Sequence, residues 1–160
     1  MEWRDVHLFV FDGLSDWEAG YAVAGINHPQ FQRQPGHYRV RTVAPHEGSV
    51  VTMGGIRIQP DLTLDTLRPA NSALLILPGG AAWDEGQHGE AVELARAFLD
   101  AGVPVAAICG ATAALARGGL PDDRRHTSNA PEYLAATKYR GAALYEEAPG
   151  AQDKSEGTEA

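Results

Sequence analysis

Cysteine is nearly absent from this chain: its 160 residues include one, Cys109. A single cysteine excludes an internal disulfide, and no Cys/His cluster has zinc-ligand spacing, so no metal is expected. Basic residues are scarce too. Thirteen Lys and Arg face 21 Asp and Glu, and the formal net charge of −8 argues against binding a nucleic-acid backbone. The Arg124-Arg125 pair is too small a patch to reverse that. No apolar run approaches a membrane span, and no internal repeat is visible. The start, MEWRDVHLFVFDG, enters a strand pattern directly, without the regions of a signal peptide. The expected location is therefore cytoplasmic, with no nucleic-acid and no membrane partner.

What is present suits one α/β domain. A chain of 160 residues with 44% hydrophobic content and 18 glycines has enough apolar surface for a real core and enough glycine for many short connections. The organising stretch is Ala101 to Gly119, AGVPVAAICGATAALARGG. Val103, Val105, Ala106, Ala107 and Ile108 read as a strand buried on both faces of a parallel sheet. Gly110-Ala111-Thr112 starts a small-residue helix, which Gly118-Gly119 stops. Cys109 thus stands on a strand-to-helix elbow, at a helix N-terminus whose free N–H groups favour an anion, where a thiolate is stabilised and reactive. The alternative is a buried structural cysteine.

The remaining elements alternate around this one. Val6 to Phe11 reads as a central strand ended by Asp12-Gly13. Ser15 caps a helix in a capping box with Glu18, and Trp17, Tyr21, Ala24 and Gly25 give it an apolar stripe, up to a stop near Asn27-His28-Pro29. Tyr38 to Ala44 is a second strand. Ser49 to Met53 and Ile56 to Gln59 flank Gly54-Gly55 as a small hairpin. Asp61 to Leu67 reads as a short helix capped by Asp61. Ala73 to Leu77 is a buried strand running into Pro78-Gly79-Gly80. Ala91, Leu94, Ala95, Phe98 and Leu99 mark a one-faced helix ending at Gly102. Arg124 to Ser128 and Tyr139 to Tyr145 read as further short strands, with Asn129 capping a helix through Pro131 between them. This alternation predicts a doubly wound, three-layer α/β sandwich with a mostly parallel sheet.

Ligands of such sheets bind outside the carboxyl ends of the strands, where the loops after Phe11, Leu77 and Ile108 converge. The first loop offers Asp16 and Glu18, either as a carboxyl group that hydrogen-bonds the sulfur or as plain helix-cap residues. The second offers Gly79-Gly80: either Gly80 N–H and Gly110 N–H form an oxyanion hole, or the glycines make an ordinary turn. Trp83 either walls the pocket or covers the core. Of six histidines, His126 follows the cysteine helix most closely, as a pocket or a packing residue. Thr127, Ser128 and Asn129 are alternative polar pocket groups.

The segments LFVFDGLSDWEA, ALLILPGG, VPVAAICGATAALARGGL and HTSNAPEYL, in this order, resemble the ThiJ/PfpI superfamily. These are the class I glutamine amidotransferase-like proteins that include the parkinsonism-associated deglycase. The resemblance runs from about Val6 to Tyr145. It implies a flavodoxin-like sandwich over residues 1–148, a nucleophilic Cys109, a protonated acid at Glu18, an oxyanion hole from Gly80 and Gly110, and a homodimer. It implies no organic cofactor. Gly110 stands where protease-like members carry a histidine, so a Cys-His protease is not expected. Thr127-Ser128-Asn129 replaces a turn that ends in histidine in deglycase-like members. No histidine follows His126, against a glutaminase triad.

A family domain usually continues with a strand and a helix, in whose place stands the polar PGAQDKSEGTEA of residues 149–160, expected to be disordered and to leave an apolar face bare. The expected function is a cysteine-dependent enzyme acting on a small carbonyl, amide or nitrile-like substrate. The alternatives are a redox or stress sensor that uses oxidation of Cys109, and a truncated, inactive member.

Overall fold

The computed structural model describes residues 3–147. Among the described residues the strands, numbered in chain order, are β1 (Arg4–Phe9), β2 (Tyr38–Ala44), β3 (Val50–Val51), β4 (Arg57–Ile58), β5 (Leu62–Thr63), β6 (Leu74–Leu77) and β7 (Val105–Ala107). The α-helices are α1 (Asp16–Asn27), α2 (Gly89–Asp100), α3 (Gly110–Arg117) and α4 (Pro131–Ala135). Five strands form one parallel sheet in the order β5-β2-β1-β6-β7, and β3 pairs antiparallel with β4 around the Gly54-Gly55 turn.

The apolar run of β1 sets the centre of the sheet. Val6 pairs with Val40 on one side and Leu74 on the other, and Val6 to Phe11 are all buried. The buried polar member of this strand, His7, has its Nδ1 at 2.7 Å from Ser72 Oγ, and burial lowers its pKa. The chain moves from β1 to β2 in one direction and from β6 to β7 in the other. Right-handed crossovers then put α1 and α2 on opposite faces, which makes three layers. The reversal also opens a crevice at the carboxyl ends of β1 and β6.

Several expectations are corrected. The capping box does not form: Ser15 makes no side-chain cap bond. The Trp17/Tyr21 stripe faces outward, with Trp17 66% and Tyr21 92% exposed, while Ala19, Val23 and Ile26 pack on the sheet. Helix α1 is apolar on two faces, and the one carrying Ala19, Val23 and Ile26 meets the sheet. Asp61 caps no helix. Its carboxylate instead accepts from Thr42 N–H (2.7 Å) and Thr42 Oγ (2.9 Å), which aligns β5 with β2, and a 3₁₀ turn follows over Leu64–Thr66. Residues 124–128 and 139–145 contribute an isolated His126–Tyr145 bridge and a 3₁₀ turn, Ala142–Leu144, rather than strands. Helix α4 is capped at Ala130, not Asn129. Strand β7 is half-buried and ends the sheet among the described residues. The tail over 149–160 lies outside the described residues.

Candidate active site

Where β7 gives way to α3, Cys109 has φ 52° and ψ −120°, a conformation that a residue with a Cβ rarely adopts. The turn is held from behind. Thr112 N–H donates to the Cys109 carbonyl at 2.9 Å and Thr112 Oγ to the same oxygen at 2.6 Å, and the hydroxyl also meets Ser128 Oγ at 2.6 Å. Such a turn lifts the sulfur out of the sheet at the N-terminus of α3.

Glu18, in the first turn of α1, is turned toward this elbow by the loop after β6. Gly79 N–H donates to its Oε2 at 2.5 Å. Gly79 has room for nothing more: a Cβ there would lie 2.6 and 2.8 Å from the two Glu18 oxygens and 2.9 Å from Cys109 Cβ. The carboxyl group and the cysteine therefore flank one glycine. Asp16 is engaged elsewhere. The Thr52 hydroxyl, and then Gly54 N–H at 2.7 Å, hold its carboxyl below the usual aspartate range and clasp the hairpin to α1.

Gly80 and Gly110 meet across the same loop. A Cβ on Gly110 would lie 3.1 Å from Gly80 O and 3.3 Å from Trp83 Cβ, and one on Gly80 only 2.8 Å from the Phe11 ring. As the first residue of α3, Gly110 has an N–H with no intrahelical acceptor. Trp83 is fully buried and donates from Nε1 to Pro78 O at 2.8 Å, so it forms the floor under the loop.

Asn129 reaches the sulfur: its Nδ2 donates to Cys109 Sγ at 3.3 Å. His126 is occupied away from the sulfur. Its Nδ1 lies 2.7 Å from Arg124 O and its Nε2 3.1 Å from Tyr139 Oη, with the ring edge-on to Tyr139 and Tyr145. Sequence reasoning missed Tyr133 and Asp84. The Tyr133 hydroxyl donates to Asp84 Oδ1 at 3.3 Å. Burial, then the charges of Asp84 and Cys109, push the Tyr133 pKa up to about 12. A signal was available, because Tyr133 lies in the first turn of the Pro-initiated helix that directly follows the Asn129 loop.

Among the described residues, no group of three or more His, Cys, Asp or Glu converges to hold a metal, and no helix is long and apolar enough to cross a membrane. A cleft of about 570 Å³ beside Arg96, Asp100 and Arg140, and one of about 420 Å³ beside His46, Leu64 and His88, are lined by residues other than Cys109 and Glu18. The site is therefore located by its chemistry rather than by volume.

Sheet and elbow together define a class: flavodoxin-like α/β sandwiches with a cysteine standing at the carboxyl end of the sheet. Within that class the chain belongs to the DJ-1/PfpI family, which it matches over residues 4–156. It is 37% identical over 158 residues to the uncharacterized protease YoaZ of Bacillus subtilis, covering 97% of this chain and 75% of that protein. A shorter match, 38% over 88 residues, links it to the deglycase PfpI of Pyrococcus furiosus and covers 54% of this chain and 53% of the relative. The solved thiJ/pfpI family protein from Bacillus anthracis is 40% identical and superposes with a TM-score of 0.82, over 96% of this chain and 74% of that one.

Proposed function

We propose that the protein is a cysteine-dependent enzyme that acts on a small carbonyl, amide or nitrile-like substrate through a covalent adduct on Cys109. One observation carries the reading: Gly79 is wedged between the Glu18 carboxyl group and Cys109, with the cysteine held at φ 52°. A sulfur nucleophile and a proton-transfer group are thereby kept within reach of one substrate atom. Relatives bear the names uncharacterized protease and deglycase, which fit an enzyme of this class.

For a small amide the steps balance as follows. The Cys109 thiolate attacks the carbonyl carbon, a C–S bond forms, and the electron pair moves onto oxygen, where Gly80 N–H and Gly110 N–H donate to it. Collapse breaks the C–N bond, and the amine leaves with the proton of the Glu18 carboxyl group. Water then adds to the thioester and gives a proton back to Glu18. The C–S bond breaks and the sulfur leaves as a thiolate, which receives the Asn129 amide hydrogen bond. Tyr133, neutral at physiological pH, supplies a polar wall with Asp84.

The test is turnover of a panel of small amides, dicarbonyl compounds and nitriles by wild type, Cys109→Ala and Glu18→Gln. The expected result is turnover that falls by at least about 10³-fold without the sulfur. Activity surviving in Cys109→Ala refutes the proposal. Stoichiometric peroxide oxidation of Cys109 with no turnover of any substrate supports the sensor reading instead.

A further inference from the structure

Beside Cys109 stands a carboxylate that no cation neutralises. Asp84 follows the 3₁₀ turn Ala81–Trp83, which starts at Gly80, and Trp83 Cβ lies 3.3 Å from where a Gly110 Cβ would stand. That contact seats the turn against the elbow, one residue from the cysteine. Elsewhere on this surface acidic side chains take an arginine, as Asp5 does with Arg39 and Asp122 with Arg140. Asp84 is exposed and forms no ion pair among the described residues. Arg117 comes near, but its guanidinium donates to the Trp83 carbonyl instead.

Tyr133 links this carboxylate to the sulfur. Its hydroxyl donates to Asp84 Oδ1 at 3.3 Å, and a phenol has one proton to give, so any other neighbour meets its lone pairs. Burial raises the Tyr133 pKa first, then the charges of Asp84 and Cys109, against a smaller opposite pull from Arg117. The field at this hydroxyl is therefore negative. The loop that leads into α4 also touches the sulfur directly, through Asn129 Nδ2 at 3.3 Å, so helix and loop together bring an acceptor oxygen backed by a carboxylate to the elbow. Glu18 adds an acid group across Gly79. A ligand group that reaches Tyr133 from the sulfur meets acceptors and negative charge, and an ammonium answers both, because it has N–H donors and the opposite sign. An anion is repelled there.

We propose that Asp84 and Tyr133 select positively charged substrates for Cys109: small amides with a protonated amine beside the reacting carbonyl, its N–H donated to the Tyr133 oxygen and its charge facing Asp84. The inference rests on the covalent chemistry proposed above and supplies its substrate class. Asp84 acts through its field, while Tyr133 touches the amine. A unit charge about 4 Å away across water changes a rate or an affinity about 5-fold, so a cation and an anion of equal size are separated by about 25-fold. Salt weakens such an attraction at an exposed carboxylate.

The test labels the full chain at its one cysteine with two methanethiosulfonates, the cationic 2-aminoethyl and the anionic 2-sulfonatoethyl reagent. The thiolate attacks the reagent, a disulfide forms and methanesulfinate leaves, so the rates are read without any turnover. Division by each reagent's rate with 2-mercaptoethanol removes its intrinsic reactivity. Wild type should favour the cation by at least about 10-fold, and Asp84→Asn should cut that preference by at least about 5-fold. About 1 M salt should shrink it in wild type, which gives a second measurement without a variant. Glu85→Gln is the control, since that carboxylate is turned to Gln87, and it should leave the preference within about 2-fold. Among amides, glycinamide should be turned over with a kcat/KM at least about 10-fold above that of the anionic succinamate, and Asp84→Asn should raise its KM. Equal labelling by both reagents, or a preference that Asp84→Asn leaves intact, overturns the inference, and the catalytic reading survives if neutral amides still turn over. A preference that Asp84→Asn removes, with no amide turned over, supports charge selection at Cys109 and refutes the catalytic reading instead.

Discussion

Gly79→Ala replaces a hydrogen with a methyl group where there is no room for one. The new Cβ would lie 2.6 and 2.8 Å from the Glu18 oxygens and 2.9 Å from Cys109 Cβ, all closer than real side chains come. Glu18 cannot simply swing away, because its Oε2 accepts the Gly79 N–H at 2.5 Å and any retreat of loop or side chain stretches that bond. Overpacking of this kind costs about 1–3 kcal/mol, and a hydrogen bond contributes about 0.5–1.5 kcal/mol. A shift that relieves the clash sacrifices part of the bond, so a net loss of about 2–3 kcal/mol is expected. Against a total stability of about 5–15 kcal/mol this is readily measured. Function should suffer more, since displacing a reacting group by about 1 Å can lower the rate by about 100-fold. Urea unfolding gives the first quantity, and iodoacetamide labelling of Cys109 with substrate turnover gives the second. Gly89→Ala is the control, because nothing lies within 4 Å of its Cβ position, and it should change stability by no more than about 0.5 kcal/mol. If Gly79→Ala matches Gly89→Ala in both assays, Glu18 and Cys109 do not flank Gly79 as described.

Two further perturbations address the charges around the site. Asp16 has a folded pKa below its ordinary 3.8, chiefly through the Thr52 hydroxyl. A depressed carboxylate stabilises the fold fully above its unfolded pKa and ceases to as pH falls through the folded one. Wild type should therefore melt above Asp16→Asn at about pH 7, with the gap closing as pH falls below the ordinary 3.8 and through the lowered folded pKa; a gap independent of pH would show that the carboxylate charge plays no part. Tyr133, pushed up to about 12 partly by the charge of Cys109, should titrate lower once iodoacetamide has capped the sulfur with a neutral group. Ultraviolet titration of wild type minus Tyr133→Phe, before and after capping, isolates this hydroxyl, and an unmoved midpoint separates Tyr133 from the sulfur.

Strands β1, β6 and β7 were legible because each is a short apolar run closed by Gly or Pro, and Tyr38–Ala44 matches its expected bounds, whereas β5 was hidden in a stretch expected to be helical. The elbow was legible for the same reason, since an apolar run that meets Cys-Gly-Ala-Thr must turn there. The head of α1 offered Asp16 and Glu18 together, the family resemblance singled out Glu18, and its Gly79 partner was not foreseen. A carboxyl group at the third helical position serves its own cap or a neighbouring loop equally well, and only the approach of Gly79 decides. Asn129 misled in the same way: its amide suits an N-cap, yet the cap falls at Ala130 and the amide turns to the sulfur. On α1, periodicity revealed apolar spacing without revealing which of two apolar faces meets the sheet. The alternation over 139–145 suggested a strand, but the turn at Ala142–Leu144 competes within a stretch too short to hold a register.

The backbone at Cys109 sets stability against retention of the thiol at a single position. A non-glycine residue held at φ 52° and ψ −120° costs on the order of 1–3 kcal/mol, and glycine would remove nearly all of that cost. An engineer who ranked substitutions here by melting temperature alone would choose Cys109→Gly and obtain a sturdier protein without its thiol. Thermostability screens of this scaffold therefore need a sulfur-dependent readout run in parallel, because at residue 109 the two objectives rank the variants in opposite order.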